Sequence, residues 1–251
     1  MDDSRAYALL QKLTQYYEDV LWSSAGREAL EYLTGPKPDG RGFTEETIRT
    51  WRLGYAPAHG DLSQHFTITE MAYLKEVAQF NPGTDKDRFA GRVVFPIMDD
   101  RGQPLGFAGR ILTGGKHVAK YINSPSTPWF RKGDALYGIQ LAREAIFKAN
   151  NAIVCEGFTD VIAAHQTGRP ISVSIMGTYF THHQLLLLGR YSMNLHLMFD
   201  ADDAGSAATE RSLQEARNMG FSLSNIQLPE GLDPDDFFLP AEPGLSVGKP
   251  S

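Results

Sequence analysis

Apolar positions near the start of the chain recur at helical spacing. Tyr7, Leu10, Leu13, Tyr17 and Leu21 share one face of a 3.6-residue repeat, and Ala29, Leu30 and Leu33 extend the pattern to the breaker run Gly35-Pro36-Lys37-Pro38. With a further short helix over Thr44–Trp51, residues 1–85 read as a helical subdomain. The texture changes at Arg88. Val93, Val94, Phe95 and Ile97 precede Asp99-Asp100-Arg101-Gly102, and Leu105, Phe107 and Ile111 follow it, which predicts a hairpin turning at Arg101-Gly102. A strand from Val118 to Ile122 and a helix from Ile139 to Ala149 complete a mixed α/β subdomain over residues 86–150.

From residue 151 strands and helices alternate. Strands are predicted at Ala152–Cys155, Ile171–Met176, Leu195–Phe199 and Leu223–Leu228, with helices at Asp160–Gln166, His182–Gly189 and Ser206–Met219 between them. Such alternation with short connections implies a parallel sheet flanked by helices, the α/β class, and ligands in such sheets sit beyond the carboxyl ends of the strands. This third domain runs to residue 240. The Gly-, Pro- and Ser-rich residues 241–251 have little to bury and are expected to be a flexible tail.

Composition narrows the picture. An apolar content of 42% suffices for buried cores, and the single cysteine, Cys155, excludes a disulfide framework and any multi-cysteine zinc site within these residues. A basic start feeding an apolar stretch is missing, as is any twenty-residue apolar run, so a cytoplasmic protein without a membrane partner is expected. The net charge of −6 conceals a separation: residues 86–132 hold nine basic and three acidic side chains, whereas residues from 151 onward hold five basic and twelve acidic ones. A polyanion gripped by one part and cations held by the other would suit this split, and so would two ordinary solvated faces.

Three carboxylate groups follow predicted strands: Glu156, then Asp200 and Asp202, then Asp233, Asp235 and Asp236. A parallel sheet brings all three to one edge. Converging carboxylates raise one another's pKa unless a cation holds them ionised, and hard oxygen donors select Mg²⁺ or Mn²⁺. Singly, each has a plainer reading, because an Asp at a strand end is an ordinary cap for the next helix, and Asp200 or Asp202 fits that role for the helix from Ser206.

The runs Val154-Cys155-Glu156-Gly157-Phe158-Thr159-Asp160-Val161, Met176-Gly177-Thr178 and Phe199-Asp200-Ala201-Asp202-Asp203-Ala204-Gly205 resemble the Toprim domain of bacterial primases, topoisomerases and some nucleases. Upstream, Gly91-Arg92-Val93-Val94-Phe95-Pro96-Ile97, Gly106-Phe107-Ala108-Gly109-Arg110, Lys120-Tyr121-Ile122-Asn123-Ser124-Pro125 and Lys132-Gly133-Asp134-Ala135-Leu136-Tyr137-Gly138 resemble, in order, landmarks of the bacterial DnaG-type primase catalytic core. A departure is Ala201, where the family commonly has glycine.

The resemblance implies a Toprim-type sheet and the synthesis of RNA primers on single-stranded DNA from ribonucleoside triphosphates, with Mg²⁺ or Mn²⁺ as cofactor. By the same resemblance Glu156, Asp200 and Asp202 are catalytic, Glu156 as general base for the primer 3′-hydroxyl. Metal ligands would come from Glu156, Asp160, Asp200, Asp202, Asp233 and Asp235, while Arg92, Arg110, Lys120, Tyr121, Asn123 and Lys132 would bind nucleic acid or triphosphate. A replicative helicase and a separate zinc-ribbon protein are implied as partners. The competing expectations are a Toprim-type nuclease and a non-catalytic DNA- or helicase-binding subunit.

Overall fold

A computed structural model describes residues 2–77, 79–81, 84, 86–113, 118–199, 207–229 and 233–239. The chain divides into two compact units: residues 1–35 with 44–132, and residues 36–43 with 133–251.

The first unit begins with α1 (Asp3–Leu21), started by Asp2, whose carboxylate accepts from the Arg5 N–H at 2.9 Å. Its predicted stripe is real: Leu10, Leu13, Tyr17 and Leu21 are buried, each such side chain contributing about 1.5–3 kcal/mol. Then come α2 (Arg27–Thr34), α3 (Glu45–Thr50), β1 (Gly54–Ala56) and α4 (Ile68–Glu76). The antiparallel sheet continues with β2 (Arg92–Met98), β3 (Pro104–Ile111) and β4 (Tyr121–Asn123), in the order β1-β2-β3-β4. The hairpin turns where expected, with Gly102 at φ +84° and the Asp99 carboxylate accepting from the Arg101 and Gln103 N–H groups.

Residues 1–85 are therefore not a purely helical subdomain, because β1 pairs with β2 across the expected boundary, with Tyr55 opposite Val93. α1 packs over this sheet so closely that a Cβ on Gly54 would stand 2.5 Å from the Tyr17 Cβ. Leu9, Leu10, Leu13, Tyr17, Phe89, Val94 and Phe107 are among the residues of this core.

The second unit is the expected α/β fold. It contains α5 (Ile139–Ala149), β5 (Ala152–Cys155), α6 (Phe158–Gln166), β6 (Ser172–Ser174), α7 (His182–Leu188), β7 (Asn194–Met198), α8 (Ala207–Asn218), β8 (Ser222–Asn225) and α9 (Pro234–Phe238). All strand pairs in this sheet are parallel, in the order β6-β5-β7-β8. β5 is buried throughout, as a strand covered on both faces must be, whereas β8 is a largely exposed edge that ends three residues earlier than predicted. Its core gathers Ile139, Val154, Val173, Leu185, Leu195 and Leu197. The unit takes in α5, expected in the preceding subdomain, and the distant segment 36–43, expected in the first subdomain and beginning within the breaker run Gly35-Pro36-Lys37-Pro38.

Candidate functional site

In the second unit the chain steps from β5 to β6 on one side and then to β7 on the other, so the strand order reverses between β5 and β7. Such a switch point is where a crevice opens beyond the carboxyl ends of the strands. The register sets Cys155 level with Met198, so both strands run out at the same edge. Glu156 is the next residue after β5. Asp200 and Asp202, expected as its counterparts after β7, lie outside the described residues.

Glu156 is half-buried, and its backbone is fixed by the Ser174 hydroxyl, which donates to the Glu156 carbonyl at 2.5 Å and accepts from the Met176 N–H. Met176 sits at φ +56°, a left-handed conformation costly for a side-chain-bearing residue and found where the surroundings over-determine it. Gly157 follows because there is no room for more: an added Cβ would meet the Asp160 Oδ2 at 2.8 Å. That oxygen accepts from the Gly157 N–H at 2.9 Å and caps α6. Asp160 is buried and its carboxylate serves the helix start. Cys155 is fully buried, and burial pushes its thiol pKa well up, which makes it an inert core residue.

The third acidic group divides. Asp233 is exposed and caps α9, accepting from the Asp236 N–H at 2.8 Å. Asp235 is 3% exposed, with Lys37 Nζ at 3.2 Å and Arg41 Nη1 at 2.5 Å. Sequence reading missed these two cations, and the available signal was an unexplained pair of basic residues in the loop ending α2.

Among the described residues no group of three or more His, Cys, Asp or Glu side chains stands together as a metal site, and Asp200 and Asp202 are not among them. Glu156, which follows β5 at that edge, and Asp233, which heads α9, both offer carboxylate oxygens, the donor chemistry of Mg²⁺ or Mn²⁺.

In the first unit the expected basic residues part company. Arg92 is 6% exposed and its Nη1 donates to the carbonyls of Gly109 (3.2 Å), Ala119 (3.0 Å) and Lys120 (3.4 Å). Its charge is spent inside the sheet, so this geometry does not carry the expectation that it grips a phosphate. Desolvation, aided by Arg88, draws its pKa down. Arg110 stands opposite Tyr121, with Asn123 two residues further along β4, so all three share one face. The Arg110 guanidinium lies 4.2 Å from the Tyr32 ring centroid, and its buried Nε and the buried Asn123 Oδ1 have no hydrogen-bond partner among the described residues. Orphaned polar atoms of this kind call for a ligand or a water. Lys120 is exposed, and partial desolvation lowers the pKa of Lys132.

No helix among the described residues is long and apolar enough to cross a membrane. Residues 16–143 match the family model of the DNA primase catalytic core, N-terminal domain, and residues 153–238 match a Toprim-like model. A DNA primase of Synechococcus elongatus is 40% identical over 248 residues, covering 93% of this chain and 35% of the relative. The chain spans about a third to two fifths of the curated relatives it matches. The RNA polymerase domain of Mycobacterium tuberculosis primase DnaG superposes with a TM-score of 0.84 at 31% identity, covering 95% of this chain and 80% of that one. A DnaG primase catalytic domain bound to single-stranded DNA superposes with a TM-score of 0.80 at 32% identity, covering 92% of this chain and 76% of that one. From the matched core model, the Toprim-like sheet and the edge at which Glu156 emerges, this chain belongs to the DnaG-type family of DNA primase catalytic cores.

Proposed function

We propose that this chain synthesises short RNA primers on a single-stranded DNA template, joining ribonucleoside triphosphates by metal-dependent nucleotidyl transfer. The observation that carries the reading is the parallel register of β5 and β7, which brings Glu156 out at the switch point beside the strand that leads into Asp200 and Asp202.

Glu156, Asp200, Asp202 and the exposed Asp233 would hold Mg²⁺ or Mn²⁺, with Asp160 close by in sequence and committed to capping α6. A divalent ion bound there supplies charge neutralisation at the entering and leaving oxygens of an in-line displacement. Glu156 takes the proton of the attacking 3′-hydroxyl, and the Ser174 contact to its backbone holds it in one place while it does so. Arg110, Tyr121 and Asn123 bind the template or the incoming triphosphate on their shared face, and the Arg110 Nε and Asn123 Oδ1, without a hydrogen-bond partner among the described residues, support that assignment. Lys120 and Lys132 add phosphate contacts, which fix position without reading sequence. The relatives' function, and the single-stranded DNA bound by one of them, support the choice of template. A zinc-ribbon protein and a replicative helicase are proposed as partners, and the cytoplasm as the compartment.

The test is incubation with single-stranded DNA, labelled ribonucleotides and Mg²⁺ or Mn²⁺, with and without a zinc-ribbon partner. Oligoribonucleotides dependent on both template and metal are expected. Loss of labelled DNA without ribonucleotide incorporation would instead mark a nuclease.

A further inference from the structure

From segment 36–43, Arg41 Nη1 donates to the Asp235 Oδ2, while Lys37 donates to the Asp236 Oδ1 at 2.7 Å and stands 3.2 Å from the Asp235 Oδ1, an ion pair without hydrogen-bond geometry. The same segment is tied to α6, because the Gln166 side chain donates to the Gly42 carbonyl at 2.9 Å and Phe43 is buried. α6 in turn packs against α9, and the Arg169 guanidinium lies 5.4 Å from the centre of the Phe238 ring. Segment 36–43 thus bridges the helix that follows Glu156 and the helix that Asp233 caps.

A metal ion ligated by Asp235 would have to displace Lys37 and Arg41 from largely buried ion pairs. Breaking a buried ion pair from one side is expensive, so the internal pairing wins. Asp233 carries no such debt. It is exposed at the head of α9, with Pro234 fixing the first helical φ.

We propose that Lys37 and Arg41 are positioning residues: with Asp235 they clamp α9 so that Asp233, and not Asp235, is the carboxylate of this group offered to a divalent cation. This rests on the metal-dependent reading above and reassigns one of its expected ligands. Residues that orient a ligating group typically cost about tenfold or more in metal affinity when removed.

The test is Mn²⁺ binding, read by electron paramagnetic resonance, together with amide exchange of α9, in the full chain and in Arg41→Met, Asp235→Asn, the double variant and Arg41→Lys. The clamp predicts that Arg41→Met and Asp235→Asn each weaken Mn²⁺ binding by about tenfold. It further predicts that the double variant is no weaker, that Arg41→Lys recovers part of the loss, and that the Phe237 and Leu239 amides exchange faster in the weakened variants. Direct ligation by Asp235 predicts the opposite sign for Arg41→Met, since freeing the carboxylate would leave binding unchanged or tighten it, and that result overturns the clamp. Wild-type chain that binds no Mn²⁺ overturns the metal-dependent reading and the positioning role with it. Should Arg41→Met fail to fold, Lys37→Met and Arg41→Lys carry the same comparison.

Discussion

In each unit a buried carboxylate joins distant stretches of chain, Asp87 in the first and Asp235 in the second, and the two are held by opposite means. In the first unit Asp87 is surrounded by neutral donors: Tyr17 Oη at 2.7 Å, Gln79 Nε2 at 2.8 Å and the Phe89 N–H at 2.8 Å. Desolvation wins over these hydrogen bonds and holds its pKa above the usual carboxylate range. In the second unit Asp235 is enclosed by Lys37 and Arg41. Neutral donors knit α1 to the loop before β2 and leave a group that titrates, while cations staple a remote segment to the acidic helix. Asp87 and Asp235 thus each join distant stretches of chain, whereas the buried Asp160 caps its own helix.

The contrast can be broken most forcefully at Asp235. Replacing it with Ala removes the Arg41 ion pair and one of the two carboxylates that Lys37 faces, and chemical denaturation should show a loss of about 3–5 kcal/mol. A loss below about 1 kcal/mol, the range of exposed pairs, would mean that the pairing is not buried in solution. At Asp87 the deletion of one neutral donor should cost less. Tyr17→Phe removes a hydrogen bond to a buried group and is expected to destabilise by about 1–3 kcal/mol in the same measurement.

The two units also differ in the sign of their pH response. Because the folded pKa of Asp87 is raised, its contribution is fully present below the unfolded value and declines as pH rises through the folded one. Compared with Asp87→Asn, the wild type should lose stability over that window with a slope of at most about 1.4 kcal/mol per pH unit. His165 in the second unit works the other way. Burial lowers its pKa, its ring bonds the Ser172 carbonyl at 2.9 Å, and its contribution is lost as pH falls through the folded value. Denaturation curves of Asp87→Asn and His165→Gln against pH should therefore diverge from wild type in opposite directions. The smallest effect on stability belongs to the surface: Lys120→Ala should change it by less than about 0.5 kcal/mol. If Lys120 meets a phosphate, that variant should bind single-stranded DNA more weakly and with a salt slope reduced by about one, in binding isotherms taken across salt concentrations.

Local pattern made much of this fold legible. The α1 stripe, the hairpin turning at Gly102 and the β-α alternation after Ala152 all rest on spacing and turn chemistry within a few residues. What escaped was non-local. β1 is three residues long inside a helical stretch and exists because β2 offers it a partner, and segment 36–43 joins the second unit through ion pairs nearly two hundred positions away. The same divide runs through the site. Glu156 was readable from its place after an apolar strand, whereas the commitments of Asp235 and Arg92 depended on partners that no periodicity displays.

The most direct test of the account is primer synthesis by Glu156→Gln, a variant that keeps shape while removing the base, compared with wild type at equal thermal stability. A fall in rate of about a hundredfold or more is predicted, in line with the loss of a general base. Synthesis at the wild-type rate would contradict the central claim that the carboxyl edge of the parallel sheet carries out the chemistry.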